Sequence, residues 1–239
     1  MVTKIDSQTI QPAFVIGFAN GKGGPGKTTL ALNSAVELFD QGRRVALIDA
    51  EEGGINAAAL NRFEPAIETR TARTAFDIDD AIQELSEHHE IILFDAPGQT
   101  SGEEVATICS VADLVVVPIK LSLKDVRGSQ SVLRMIRRSQ LRQNGRPDST
   151  IVFNEVPPLP AGRQSRSALH YRRQLVDLGY HVSRCELRFY EWHRLCEFVT
   201  RDPNANVNKK SDKCAIDIAA FVYEVIVSRL TPEGRVANE

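Results

Sequence analysis

Gly21-Lys22-Gly23-Gly24-Pro25-Gly26-Lys27-Thr28-Thr29 sets the class of this chain before any other stretch is read. It fits the phosphate-binding pattern G-x-x-x-x-G-K-[ST] at every constrained position. Gly23, Gly24 and Gly26 lack a Cβ, so the backbone can curl and turn its N–H groups inward onto phosphate oxygens. Lys27 supplies a cation for the β- and γ-phosphates, and the Thr28 hydroxyl suits Mg²⁺. The flanks agree. Phe14 to Ala19 reads as a buried strand and Thr28 to Gln41 as a helix, whose N-terminal dipole adds to the anion site.

Outward from the loop, strand and helix signals alternate. Val45 to Asp49, Ile91 to Asp95 and Leu114 to Pro118 are continuous apolar runs, the pattern of strands covered on both faces. Ile151 to Asn154 reads as a further strand, ended by the Pro157 to Pro160 turn. Helices are expected over Asp77 to Ser86, Lys124 to Gln143, Ser165 to Leu178 (stopped by Gly179) and Cys214 to Leu230. This alternation predicts an α/β fold: one three-layer domain over residues 1–239, with a mostly parallel twisted sheet and helices on both faces. Residues 1–12 and 231–239 are expected to be mobile ends, and Asp202 to Asp212 a surface loop. Ligands in such folds bind at the carboxyl ends of the strands. Asn20, Asp49, Asp95, Pro118 and Asn154 occupy those ends.

A second lysine, Lys22, precedes Gly23-Gly24, where an ordinary phosphate loop needs no cation. Lys22 to Thr29 thereby resembles the signature K-G-G-x-G-K-[ST]-[ST] of the ParA/MinD family of deviant Walker A ATPases, most like a short ParA-type partition protein. The resemblance is strong over about the first 125 residues, loose over Ile151 to Leu178 and weak beyond. It implies ATP and Mg²⁺ as cofactors, with Gly23, Gly24, Pro25, Gly26, Lys27, Thr28 and Thr29 around the nucleotide. Lys22 would cross a homodimer interface to the partner's nucleotide. Asp95, followed by Ala96-Pro97-Gly98, stands for the Mg²⁺-side carboxylate. Asp49 matches the first acid of the family's D-x-D-P-Q-[GN] stretch and joins the catalytic and metal set. Glu51 stands where that stretch has its second Asp, the residue that positions the attacking water. Glu is one methylene longer, and a 1 Å error can cost roughly 10²-fold, so the swap bears on hydrolysis more than on binding. Pro118 to Asp125 is similar to the family's P-x-x-x-S-x-x-D segment, and Asn154 to its adenine contact.

Composition bounds the rest. The chain has 239 residues and a net charge of −2, with no apolar run long enough to span a bilayer. Cys109, Cys185, Cys196 and Cys214 show no metal-ligand spacing, the usage of reduced cytosolic thiols. A cluster-bearing redox relative would need paired cysteines that this chain lacks. Charge is uneven: acids crowd residues 50–110, whereas Lys120, Lys124, Arg127, Arg134, Arg137, Arg138, Arg142 and Arg146 face only Asp125 over residues 120–146. Arg163, Arg166, Arg172 and Arg173 extend this basic half. Arg134, Arg138 and Arg142 form one stripe, so Arg134, Arg137, Arg138 and Arg142 are assigned to contact with double-stranded DNA. No aromatic residues are interleaved with them and no recognition module precedes them, so the contact should ignore sequence. The resemblance further implies a cytoplasmic, nucleoid-associated protein with a ParB-like centromere-binding adaptor. The tail from Leu230 has no apolar face for a membrane, which ranks a MinD-like positioning role low. A conjugation accessory ATPase and an amidotransferase-linked synthetase stay open, because the loop alone does not set the substrate.

Overall fold

The computed structural model describes residues 12–98, 102–159, 165–188 and 211–230, with the side chains of 211–213 left aside. Residues 1–11 of the expected 1–12 end and all of 231–239 lie outside these residues, as do most of the 202–212 loop, Pro160, Arg163 and Cys196.

The strands are β1 (Phe14–Phe18), β2 (Val45–Asp49), β3 (Glu68–Thr71), β4 (Ile91–Asp95), β5 (Leu114–Lys120), β6 (Asp148–Val156) and β7 (Val182–Arg188). They form one seven-stranded sheet in the order β3-β2-β4-β1-β5-β6-β7. Every pairing is parallel. The helices are α1 (Lys27–Asp40), α2 (Ile55–Phe63), α3 (Ala75–Ser86), α4 (Gly102–Val111), α5 (Leu123–Arg142), α6 (Arg166–Asp177) and α7 (Ser211–Phe221). The α/β three-layer architecture expected from the apolar runs is what the chain adopts.

Alternation within each strand divides the core. Val15, Ile48, Ile92, Phe94, Val115 and Val117 point to one face and pack with Ile78 and Leu85 of α3, Ile108 of α4 and Leu133 and Ile136 of α5. Ile16, Phe18, Leu47, Leu93 and Val116 point to the other and meet Leu30 and Leu38 of α1, Leu60 of α2 and Phe221 near the chain's end. Central strands therefore bury both faces, which is why their sequences are continuously apolar. At Gly17 a Cβ would stand 2.4 Å from Ile108 Cγ2, so glycine here lets α4 approach β1.

Helix ends follow local chemistry. Thr74 caps α3 in a capping box with Asp77, so the helix begins at Ala75, two residues before the start expected from periodicity. The Ser122 hydroxyl caps α5 by accepting from Asp125 N at 3.1 Å. Gly179, at φ +82°, ends α6. The closing helix is interrupted: α7 passes at Val222–Val227 into a π-helical turn and ends as an α-turn at Ser228–Leu230. No helix among the described residues is long and apolar enough to cross a membrane.

β1 lies between β4 and β5: the chain leaves it for β2 on one side, and the later connection from β4 to β5 crosses to the other side. The crevice at such a switch point is where ligands bind, and the Gly21–Thr29 loop leaves β1 there.

Candidate nucleotide site

The loop runs from the end of β1 into α1. Gly24 and Gly26 take φ +79° and +97°, a region that costs an L side chain strain. Gly26 has a second constraint: a Cβ there would stand 2.0 Å from Asn154 Nδ2. Asn154 itself is buried at the end of β6 and donates from Nδ2 to the Pro25 carbonyl at 2.8 Å. In this structure its amide braces the loop from beneath. Asn20 ties the loop to β5, donating to the Pro118 carbonyl at 2.5 Å while its Oδ1 accepts from Lys22 N at 3.1 Å. A cavity of about 440 Å³ opens above the loop, lined by Gly24 to Thr29, Gly98, Lys120, Asn154 and Glu155.

Lys27 is buried at the first turn of α1, and its ammonium donates to the Gly98 carbonyl at 3.0 Å. Burial lowers its pKa, while the carboxylates of Asp95, Glu51 and Glu104 pull the other way. Asp49 and Asp95 end neighbouring strands in direct register. Both Asp49 oxygens are engaged in bracing the next loop: Oδ1 accepts from Glu51 N at 2.9 Å and Oδ2 from Ala57 N at 2.9 Å, in the first turn of α2. Asp95 is 1 % exposed. Its Oδ2 accepts from Asn56 Nδ2 at 3.2 Å, but its Oδ1 has no hydrogen-bond partner among the described residues. Burial pushes the Asp95 carboxyl up to about 7, with the Thr28 hydroxyl opposing, Asp49 adding, Lys27 opposing and Glu51 adding.

Glu51 reaches from the end of β2 to the loop after β4, where Oε2 accepts from Gly98 N at 2.9 Å. Gly53 and Gly54 follow it at φ +82° and +60°. The two glycines turn the chain sharply into α2, and at Gly54 a Cβ would stand 2.7 Å from Thr71 Oγ1.

Lys22 lies on the rim, outside the phosphate cradle. Its Nζ donates to the Lys124 carbonyl at 2.7 Å and to Asp125 Oδ1 at 3.3 Å, at the start of α5. Asp125 also receives the Ser122 hydroxyl, and that bond, helped by Lys22, holds its carboxyl below the usual range.

Residues 16–186 match the CobQ/CobB/MinD/ParA nucleotide binding domain family. The chain belongs to this family. It is 26% identical over 152 residues to "Maintenance of carboxysome distribution protein A" of Halothiobacillus neapolitanus, covering 62% of this chain and 69% of that one. It is 27% identical over 171 residues to Protein virC1 of Rhizobium radiobacter, covering 69% and 72%. Among solved structures, the ATP complex of a Cyanothece McdA variant superposes with TM-score 0.65 at 15% identity, over 90% of this chain and 96% of that one. Cobyrinic acid a,c-diamide synthase of Mycobacterium smegmatis with ADP and magnesium gives TM-score 0.65 at 18% identity, over 92% and 96%.

Within this ParA/MinD-type fold the basic residues separate into two groups. Arg134, Arg138 and Arg142 are exposed along α5 and make no ion pair among the described residues. Arg137, expected with them, is differently employed: it donates to the Leu178 carbonyl at 2.7 Å, at the end of α6, and lies 5.9 Å from the Tyr180 ring centroid. Other expected cations are paired as well, Lys120 with Glu155 at 2.6 Å and Arg172 with Glu186 at 3.1 Å. The basic half read along the chain is thus thinner in space. Glu155 lines the cavity and was not expected there. It is a non-glycine residue at φ +54°, and a left-handed glutamate carries no mark in a linear sequence.

Proposed function

We propose that this chain is a Mg²⁺-dependent ATPase that dimerises on ATP and binds duplex DNA without sequence preference, to segregate plasmid or chromosomal DNA. The carrying observation is the path from the phosphate loop to the arginine stripe: Lys22 leaves the loop and ends on the first turn of α5, the helix that bears Arg134, Arg138 and Arg142.

The residues fit the cofactors. Mg²⁺ demands few protein ligands, commonly one or two carboxylates plus substrate phosphates and waters. The buried Asp95 carboxyl, which meets the Thr28 hydroxyl and whose Oδ1 has no hydrogen-bond partner among the described residues, suits it, with Asp49 holding the surrounding loop in place. Bound there, Mg²⁺ would neutralise charge developing on the phosphates. Lys27 and the loop N–H groups of Gly23 to Thr29 would hold the phosphates. Glu51 would orient the attacking water. Asn154, on the same cavity, would meet the base. Lys22 would exchange Asp125 for the nucleotide of the partner subunit, and a ParB-like adaptor would stimulate a slow basal turnover on the nucleoid.

The test is the ATPase rate with and without nonspecific duplex DNA, together with retention on that DNA. Turnover and retention that both depend on DNA and ATP are expected. DNA-independent turnover with no retention would remove the partition reading and leave a biosynthetic role. A second reading keeps the ATPase and changes the cargo. The relative from Halothiobacillus neapolitanus is named for carboxysome distribution, so a protein cargo positioned over DNA would use the same residues. A DNA-transfer accessory role of the same ATPase is the other cargo variant.

A further inference from the structure

Gly98 is held from two directions. Its carbonyl accepts from the Lys27 ammonium at 3.0 Å, and its N–H donates to Glu51 Oε2 at 2.9 Å. The same Glu51 oxygen lies 3.8 Å from where a Cβ on Gly98 would stand, so the carboxylate runs along the open face of this glycine. The Gly98 carbonyl lies 3.8 Å from the corresponding point on Gly23, which places it over the phosphate loop. One cation, one peptide residue and one anion are thus joined in a chain of contacts beside the phosphate loop.

An oxyanion thus already sits on the backbone N–H of Gly98, a residue that lines the nucleotide cavity. Backbone N–H groups of this kind are anion sites. One N–H makes one strong hydrogen bond, so a second oxyanion arriving at Gly98 must displace the first. We propose that Glu51 is a tethered stand-in for the terminal phosphate of a nucleoside triphosphate, holding the Gly98 N–H until that phosphate displaces it. The proposal rests on the nucleotide site put forward above. Residue identity supports it: the span from the end of β2 to the loop after β4 is bridged by a side chain one methylene longer than aspartate. A nucleoside diphosphate has no terminal group to compete for the Gly98 N–H, so the Glu51–Gly98 bond discriminates between the two nucleotides. It also orders the events, because Glu51 becomes free to meet a water only when a triphosphate has arrived.

The experiment measures Kd for Mg·ADP and for a Mg-bound non-hydrolysable ATP analogue on the full chain and on Glu51→Ala. Losing a charge-assisted competitor should tighten the analogue relative to ADP by about tenfold. Glu51→Gln keeps an acceptor for Gly98 but no charge, so it should fall between the two; it serves as well if the alanine variant does not fold. Unchanged ADP affinity shows that the loop itself is intact. A ratio of the two Kd values equal to that of wild type in both variants overturns the proposal. So does a selective weakening of the analogue, since Glu51 would then be helping to hold the triphosphate. A wild-type chain that binds neither nucleotide fails at the earlier step and overturns the nucleotide site itself.

Discussion

Replacing Asp95 by Asn probes the carboxyl proposed to hold Mg²⁺, without nucleotide. In the unfolded chain this carboxyl ionises near 3.8, and in the folded chain its pKa stands at about 7. Burial is the main cause, reinforced by Asp49 and Glu51 and opposed by Thr28 and Lys27. Between those two values the folded protein keeps a proton that the unfolded chain has released. Stability from this group therefore falls as pH rises through the window, and the full penalty is present above about 7. Each unit is worth about 1.4 kcal/mol, so the penalty grows by about 2.5 kcal/mol from about pH 5 to about pH 8. Asparagine has nearly the same shape and does not titrate. Urea unfolding of the Mg²⁺-free, nucleotide-free protein gives the comparison. The advantage of Asp95→Asn over wild type should widen by about 2.5 kcal/mol between those pH values. Changes at groups that do not interact with Asp95 cancel in the difference. Parallel pH dependence in the two proteins would refute the burial argument and, with it, the reason for placing a cation at the partnerless Oδ1.

Four further outcomes are expected. Lys27→Ala should abolish ATP-analogue binding in calorimetry, since the phosphates lose their buried cation. Gly26→Ala places a Cβ 2.0 Å from Asn154 Nδ2 at φ +97° and should cost about 2–4 kcal/mol in chemical denaturation; adding Asn154→Ala should recover the steric part and leave the backbone strain. Lys22→Ala should keep nucleotide affinity yet show no ATP-dependent dimer in sedimentation, whereas a variant that still dimerises would mean that Lys22 acts only within its own chain. Replacing Arg138 and Arg142 by Ala should flatten the log–log salt dependence of DNA binding by about 1.8 per subunit, at about 0.9 per phosphate contact, while Arg137→Ala should lower stability and hardly change the slope.

How much of this was readable in the sequence depends on where the information lay. β2 and β4 begin and end at the residues expected, because a strand buried on both faces is a contiguous apolar word. β3, Glu68-Thr69-Arg70-Thr71, is an edge strand with a half-buried or exposed polar pattern, and β7 carries Ser183, Arg184 and Glu186 among its apolar residues. Neither has an apolar run to read, and only pairing with a neighbour makes them strands. α2 follows a left-handed pair of glycines and so begins where the sequence reads as loop. The same division runs through the site. The phosphate loop is contiguous and legible in the sequence, whereas the contacts of Glu51 with Gly98, of Asn154 with Pro25 and of Lys22 with Asp125 join residues far apart in the chain.

Gly128 draws the two kinds of information together. A glycine inside α5 costs about 1 kcal/mol relative to alanine, and in sequence it reads only as a weak point in a long helix. In the folded chain a Cβ at Gly128 would stand 2.2 Å from Lys22 Cε and 2.8 Å from its Cδ. The stem of Lys22 lies in the space that the missing side chain leaves, and its ammonium continues to the Lys124 carbonyl. The helix gives up intrinsic stability at one position so that the rim lysine of the phosphate loop can pack against it. A local propensity scale sees only the loss, because the compensating contact comes from Lys22 in the loop after β1, far from α5 in the sequence.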